Sequence, residues 1–213
     1  EKLQANAIAI QVPIGAEENF VGVVDLIEQC AYEWSAVGDG SKYKKIEIPS
    51  HMSGEVEKMR MEMVEKIVEF DDELIELYLS GEAISTDKLK AALRKGTLEM
   101  KAFPVLCGSA FKNKGIQPLL DATVCYLPSP LDVVDVVGID PSTEKEVKCI
   151  VSFEEPTASL AFKIANDPFA GSLTYIRVYS GEIKVGDSLL NPRTEKRERI
   201  QKIVKMHANS RSE

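Results

Sequence analysis

A regular apolar stripe in the first half of the chain constrains its fold more than any other feature. Seven apolar residues recur at intervals of three or four positions: Val56, Met59, Met63, Ile67, Phe70, Leu74 and Leu77. This spacing places them on one side of a helix, so we predict a helical stretch from about Gly54 to Leu79. Because carboxylates fill the positions between them, we expect the apolar side to pack in a core and the acidic side to face solvent.

The segments around this stretch have the composition of strands. Five segments rich in β-branched or apolar residues are predicted to be strands: 7–14, 20–26, 31–34, 43–48 and 102–107. Two further helices are predicted, one starting at Thr86 as its N-cap and one from about Ile116 to Leu127. The succession of strand, polar loop and helix near residues 102–127 is typical of an α/β unit.

The character of the sequence changes at Leu127-Pro128-Ser129-Pro130, which marks a domain boundary. Beyond it, short β-type segments are separated by glycine turns, and Leu160, Phe162 and Ile164 alternate with other residues. A last strand is predicted from about Arg199 to Met206. This pattern predicts an all-β domain built as a small barrel.

An octapeptide between the strand at 102–107 and the following helix carries a chemical signal. It reads Gly108-Ser109-Ala110-Phe111-Lys112-Asn113-Lys114-Gly115. A turn of small residues after a strand can leave backbone N–H groups available to donate to a flat ring. The O6 of guanine accepts such a bond, whereas the amino group of adenine does not. Ser-Ala-Phe by itself is also compatible with an ordinary tight turn.

In this context the octapeptide resembles the fifth guanine-nucleotide motif of elongation factor G, the family of ribosomal translocases. The resemblance assigns Ser109, Ala110 and Phe111 to guanine binding. Other segments resemble the same family, in the same order: Gly15-Ala16-Glu17-Glu18-Asn19-Phe20, Tyr126-Leu127-Pro128-Ser129-Pro130, Leu160-Ala161-Phe162-Lys163-Ile164, Asp167-Pro168-Phe169-Ala170-Gly171, Arg177-Val178-Tyr179-Ser180-Gly181, Gly186-Asp187 and Met206-His207-Ala208-Asn209. The resemblance covers nearly the whole chain.

The resemblance implies an internal fragment with a defined domain order. Four parts are expected: the C-terminal part of the GTPase domain (1–11), an α+β insert of that domain (12–101), its closing strand and helix (102–128), and an incomplete second domain (129–213). The implied fold class is a partial α/β GTPase domain with an α+β insert, followed by a truncated all-β barrel. A release-factor GTPase or a ribosomal protection protein is a related alternative, and the insert favours elongation factor G.

The implied function is that of the intact parent, which would bind GTP or GDP with Mg²⁺ and hydrolyse GTP on the ribosome to drive tRNA and mRNA movement. No GxxxxGK[ST] loop, DxxG switch or NKxD clamp is assigned in this chain. These parts cradle phosphate and orient water in such enzymes. We therefore expect no catalytic residue, no bound cofactor and no hydrolysis in this chain alone. A free-standing, non-enzymatic ribosome- or RNA-binding adaptor is the alternative from a different class.

Charge is unevenly distributed along the sequence. Eleven carboxylates and three Lys or Arg lie between Glu47 and Glu82, whereas seven Lys or Arg and two Glu lie between Arg193 and Arg211. This layout suggests two surfaces for different partners, or two ordinary solvated faces. The resemblance implies that the ribosomal stalk protein reaches the insert, and from the charge pattern we predict docking on Glu62, Glu65, Glu69, Asp72 and Glu73. It also implies that the second domain lies against ribosomal RNA, and we predict contacts from Arg193, Lys196, Arg197, Arg199, Lys202 and Lys205.

The remaining features bear on compartment and assembly. No apolar run is long enough to cross a membrane. The four cysteines form no CxxC pair and are expected to be buried reduced thiols, and the two histidines are too far apart to suggest a metal site. The bacterial cytoplasm is the expected location, with a mitochondrial or plastid matrix as the alternative. An incomplete barrel would expose an unpaired strand edge, so self-association is expected.

Overall fold

The computed structural model describes residues 5–35, 38–133, 136–140, 142–167, 171–207 and 210–212. Within them the chain divides between Pro128 and Ser129 into two compact units. The first unit mixes helices and strands, and the second contains only strands, so the predicted fold class is confirmed.

The first unit combines two small sheets with four helices. Its strands are β1 (Ala7–Ala9), β2 (Gln11–Ile14), β3 (Gly22–Asp25), β4 (Cys30–Trp34), β5 (Tyr43–Ile46) and β6 (Phe103–Val105). Its helices are α1 (Ser53–Val68), α2 (Asp72–Ser80), α3 (Thr86–Leu98) and α4 (Ile116–Tyr126), with short 3-10 turns at Glu17–Asn19 and Ser50–Met52. Strands β2 to β5 form a four-stranded antiparallel sheet in sequence order, and β1 pairs with β6 in parallel.

The single strand predicted over residues 7–14 is in fact two strands in two sheets. The chain changes sheets at Ile10, whose N–H donates to the carbonyl of Val105 at 3.0 Å and whose carbonyl accepts from Leu26 N–H at 3.0 Å. Ile8, Ile10 and Val12 are all buried, because packed layers cover the chain on both sides of the crossing. A continuous run of buried β-branched residues gives no sign of such a crossing.

The single helical stretch predicted from Gly54 to Leu79 is also wrong, since α1 and α2 are separate helices. Asp71 breaks it with an extended φ of −150°, and its carboxylate caps α2 by accepting from Glu73 N–H at 3.0 Å. The apolar spacing continues across this break, which is why the pattern conceals it. All seven residues of the stripe do pack in or against one hydrophobic core, as predicted.

The next helix begins where the sequence indicated, with a different cap. The N-cap of α3 is Ser85 rather than Thr86, and its hydroxyl accepts from Lys88 N–H at 3.4 Å. Leu89 and Leu93 on this helix are fully buried in the same core as the α1 stripe. Helices α1 and α3 therefore contribute to one shared core of the unit. Phe20, Val23 and Trp34 form a second, smaller cluster.

The second unit consists of antiparallel hairpins. Its strands are β7 (Val136–Ile139), β8 (Glu146–Cys149), β9 (Ala158–Asp167), β10 (Gly171–Ser180), β11 (Ser188–Asn191), β12 (Lys196–Arg199), β13 (Lys205–His207) and β14 (Ser210–Ser212). Consecutive strands pair as four separate ladders. Within the described residues these ladders do not join into a closed barrel, and no apolar side chain of this unit is buried.

The last predicted strand is wrong in its bounds. Strand β12 ends at Arg199 and β13 begins at Lys205, so residues 200–204 belong to no strand. Ile200 instead closes the β11–β12 hairpin, because its N–H donates to Asp187 O and its carbonyl accepts from Gly186 N–H, both at 2.8 Å. Residues 168–170 and 208–209, which carry part of the family resemblance, lie outside the described residues.

The cysteines only partly follow expectation. All four are free thiols, but Cys30 alone is buried, Cys107 and Cys149 are half-buried, and Cys125 is exposed. Burial raises the pKa of Cys107 to about 11, so its thiol stays neutral at physiological pH.

Candidate functional site

The octapeptide 108–115, here called the motif loop, is a closed turn between β6 and α4. Ser109 N–H donates to Lys114 O at 2.8 Å, and Lys114 N–H donates back to Ser109 O at 3.0 Å. Inside this bridge, Asn113 N–H donates to Ala110 O at 3.1 Å. These three backbone bonds give the loop one defined shape.

Two glycines allow the ends of the motif loop to meet. Gly115 has a φ of +84°, and a Cβ added there would lie 2.8 Å from the carbonyl oxygen of Cys107. A Cβ added at Gly108 would lie 2.8 Å from the carbonyl oxygen of Lys114. The two ends therefore pack backbone against backbone, and a side chain at either position would force them apart.

The tip of the loop carries the three predicted guanine-contacting residues. The N–H of Ser109 is engaged by Lys114, and its hydroxyl accepts from Lys112 N–H at 3.3 Å. Ala110 is exposed, and its own N–H has no acceptor among the described residues. Phe111 is fully exposed. The tip therefore carries a backbone donor at Ala110 that no acceptor engages among the described residues, beside an exposed aromatic ring.

Lysines of the motif loop bond to a turn of the four-stranded sheet. Lys112 Nζ donates to the carbonyls of Glu17 and Glu18, at 3.2 and 3.3 Å. Lys114 Nζ donates to the carbonyl of Phe20 at 3.4 Å. Both lysines thus hold the loop against the 3-10 turn that precedes β3.

Two amide side chains bond to the turn before β5. Asn113 Nδ2 donates to the carbonyl of Asp39 at 2.7 Å, and Gln117 Nε2 donates to that of Gly40 at 3.0 Å. The approach is close, because a Cβ added at Gly40 would lie 2.4 Å from the carbonyl oxygen of Asn113. Sequence analysis missed these contacts. They join residues more than 70 positions apart, and a polar side chain in a loop gives no sign of its distant partner.

This arrangement is compatible with the predicted guanine contact, which stays a prediction. An unengaged N–H can donate to a carbonyl oxygen on a planar ring, and the small side chain of Ala110 leaves room for the ring to approach. The described residues contain no group of three His, Cys, Asp or Glu that could hold a metal ion. They also contain no helix long and apolar enough to span a membrane.

The letters of a DxxG sequence do occur once, at residues 135–138. Val136 to Gly138 belong to strand β7 of the second unit, paired with β8, while Asp135 lies outside the described residues. The described part of this stretch belongs to a hairpin strand.

The predicted acidic docking residues are all exposed, but they are divided between two helices. Glu62 and Glu65 lie on α1 and Glu69 is its C-cap, whereas Asp72 and Glu73 lie in the first turn of α2. Carboxylates at a helix N-terminus stabilise the helix itself, so those two also have a local role.

Ion pairs distinguish the acidic residues further. Glu62 lies 3.9 Å from Lys58, and Glu73 pairs with Lys88. Within the described part of the chain, Glu65 and Glu69 form no salt bridge. Glu65 and Glu69 therefore have no ion-pair partner among the described residues, as is also true of Glu55 and Glu57 on α1.

The predicted basic residues do not share one face. Arg193 lies in the turn between β11 and β12, three others lie in β12, Lys202 follows it, and Lys205 begins β13. Because side chains alternate along a strand, Arg197 and Arg199 point to one side of the hairpin and Lys196 to the other. All of β12 is exposed.

Comparison with known proteins gives consistent results for both units. The family described as elongation factor Tu domain 2 matches residues 171–213. Elongation factor G 1 of Bdellovibrio bacteriovorus is 63% identical over 214 aligned residues, which cover all of this chain and 30% of that protein. A crystal structure of a Thermus thermophilus protein superposes with a TM-score of 0.69 at 28% identity, covering 92% of this chain and 26% of that one. The chain thus spans less than a third of the relatives that it matches.

Proposed function

We infer that this chain belongs to the elongation factor G family, since its whole length is 63% identical to a member of that family. We propose that the intact protein binds and hydrolyses GTP on the ribosome and thereby drives the movement of tRNA and mRNA. The whole-length identity is the observation that carries this proposal, and it favours a translational GTPase over a free-standing adaptor. The bacterial cytoplasm is the corresponding location.

Within that protein, we propose the domain order already predicted. Residues 1–11 and 102–128 belong to the GTPase domain, 12–101 to its insert, and 129–213 to the second domain. The parallel pairing of β1 with β6 supports this division, because it joins the chain on either side of the four-stranded sheet and α1 to α3. The match at residues 171–213 supports the assignment of the second domain.

The motif loop is the proposed contribution of this chain to the nucleotide site. The backbone N–H of Ala110 donates to the guanine O6, Ser109 keeps the turn closed, and Phe111 covers the ring edge. In the intact protein, a bound GTP with Mg²⁺ supplies the phosphoanhydride that is cleaved. The residues described here hold the base, and we assign phosphate and metal contacts to other parts of the protein.

The basic hairpin is the proposed contact with ribosomal RNA. Arg197 and Arg199 are exposed on one side of β12, and cations spaced along a strand suit a phosphate backbone better than base edges. Neutralising phosphates releases counterions, so such binding weakens as salt increases. The hairpin therefore contributes affinity rather than sequence selectivity.

Replacing Arg197, Arg199 and Lys202 by Ala in the intact protein is expected to weaken ribosome binding and reduce its salt dependence. Each lost phosphate contact should lower the slope of log K against log salt by roughly 0.7 to 0.9. Sedimentation of the protein with ribosomes over a salt series measures both quantities.

A matched control removes the same charge elsewhere. Lys42, Lys44 and Lys45 are exposed cations of the first unit, and replacing all three by Ala should leave the slope unchanged. If the hairpin variant keeps the slope of the unaltered protein, the RNA contact is assigned to the wrong surface.

A further inference from the structure

We propose that the four-stranded sheet of the insert positions the guanine-reading amide, acting through Asn113 and Lys114 with support from Lys112 and Gln117. This inference rests on the proposed function of the motif loop. These four are positioning residues, since their side chains bond to the sheet's turns and none is assigned a contact with the nucleotide.

The bonds connect the sheet to the reading amide in two steps. Asn113 bonds through its side chain to Asp39 O and through its backbone N–H to Ala110 O. Lys114 bonds through its side chain to Phe20 O and through its backbone to Ser109, in both directions. The two residues that fix the backbone of Ser109 and Ala110 are therefore themselves fixed by the sheet.

The acceptors on the sheet side are all backbone carbonyls, so the contact depends on the shape of the turns. Gly40 has a φ of +73°, which favours glycine, and its lack of a Cβ permits the close approach of Asn113. Gly15, at the entrance of the other turn, has a φ of +79° and packs against Asn19 O. Both turns therefore require glycine where they receive the loop.

A single exposed amide needs this support. A hydrogen bond to a ligand loses strength quickly as the donor moves away from its line, and sites are most precise when surrounding contacts lock them. The motif loop is exposed at Ala110 and Phe111, so its own tip has little packing to hold it. The sheet supplies the restraint that the tip lacks.

The same bonds could instead only stabilise the fold. Binding of two nucleotides, with and without the O6 acceptor, distinguishes that role from positioning of the Ala110 amide. GDP carries the O6 acceptor, whereas 2-aminopurine riboside 5′-diphosphate keeps the ring and the 2-amino group but lacks that oxygen and the proton on N1. The missing N1 proton affects the unaltered protein and its variants alike, so the comparison between them reports on O6. A loss of stability weakens binding of both nucleotides equally. A misplaced amide weakens binding of GDP alone.

The test measures dissociation constants for both nucleotides, by calorimetry, on the intact protein. Asn113→Asp keeps the size of the side chain and removes its donor, and Lys114→Met keeps the stem and removes the ammonium. Each variant is expected to bind GDP roughly threefold to tenfold more weakly, the worth of about one hydrogen bond, with no change for the analogue. Asn166→Asp and Lys145→Met, at exposed positions of the second unit, are matched controls and should change neither constant.

The outcomes are distinct. If the unaltered protein binds both nucleotides equally, the guanine contact itself is refuted, and this inference falls with it. If the unaltered protein prefers GDP and the variants keep that full preference, the positioning role is refuted, while the guanine contact is not. Equal losses for both nucleotides likewise refute positioning and leave the bonds a purely structural role.

Discussion

Reversing the charge of Glu65 and Glu69 to Lys is expected to abolish binding of the C-terminal domain of the ribosomal stalk protein to this chain. We propose that this domain docks through basic residues on the acidic surface of α1. Both residues are exposed and, within the described part of the chain, form no salt bridge, so their charge is available to a partner. Replacing two attractive charges by two repulsive ones removes the force that drives such an encounter.

The side chains around Glu65 and Glu69 indicate where cations of the stalk domain should bind. Glu69 borders an open cleft of about 450 Å³ that Lys95 and Lys101 also line. Lys95 offsets part of its charge, whereas Lys101 pairs with Glu99, which also lines the cleft. Glu65 lies one turn earlier on α1, on the same side as Glu62 and away from that cleft, so it should make the larger contribution. The apolar side of α1 is committed to the core, which leaves only this surface for docking.

Chemical shifts of the isotope-labelled stalk domain, recorded as the chain is added, measure the interaction. The shifts should fade between roughly 50 and 300 mM salt, as the Debye length falls from about 14 Å to about 6 Å. Glu154→Lys with Glu155→Lys, two exposed positions of the second unit, makes the same change in net charge and should leave the shifts intact. Unchanged shifts with the Glu65 and Glu69 variant would show that the acidic surface is merely solvated.

The second large effect concerns nucleotide turnover. The intact protein is expected to release phosphate from GTP in the presence of ribosomes, whereas the 213-residue chain alone should release none. Phosphoryl transfer requires phosphate cradling, a bound Mg²⁺ and an oriented water, and we assign none of these functions to residues of this chain. The contact that we propose for the motif loop is with the base, which is remote from the bond that breaks.

The isolated chain should also bind GTP and GDP more weakly than the intact protein, because we assign the phosphate contacts to other parts of that protein. Two lost charge-assisted contacts to phosphate would lower affinity for GDP by at least about a hundredfold relative to the intact protein. Calorimetry with GTP and GDP, together with a phosphate-release assay, compares the two proteins. Micromolar binding or Mg²⁺-dependent turnover by the isolated chain would contradict this assignment of roles.

Periodicity predicted the elements of the fold better than their interruptions. The stripe from Val56 to Leu77 correctly indicated a helical face packed in a core, because burial selects residues at helical spacing. It could not show the break at Asp71, since a residue that caps a helix leaves the apolar spacing intact. Similarly, Ile10 is as apolar as its neighbours, although it is the residue where the chain leaves one sheet for another.

Only part of the candidate site could be predicted from the sequence. The motif loop could be located from the sequence, because a closed turn requires glycines and small residues at these positions. Its anchors could not be located, since the bonds of Lys112, Asn113, Lys114 and Gln117 reach backbone carbonyls that any residue type can offer. Likewise, the basic residues form a cluster in sequence but separate in space, because alternate positions of a strand face opposite sides.

The central claim, that the motif loop contacts the guanine O6, can be tested directly by photo-crosslinking. In 6-thioguanosine diphosphate a photoreactive sulfur replaces that oxygen, so the adduct marks the residues beside it. The intact protein is irradiated with this nucleotide and digested, the modified peptide is identified by mass spectrometry, and excess GDP serves as competitor. We expect a GDP-competed adduct on residues 108–111, whereas a competed adduct found only outside the motif loop would show that O6 lies against another part of the protein.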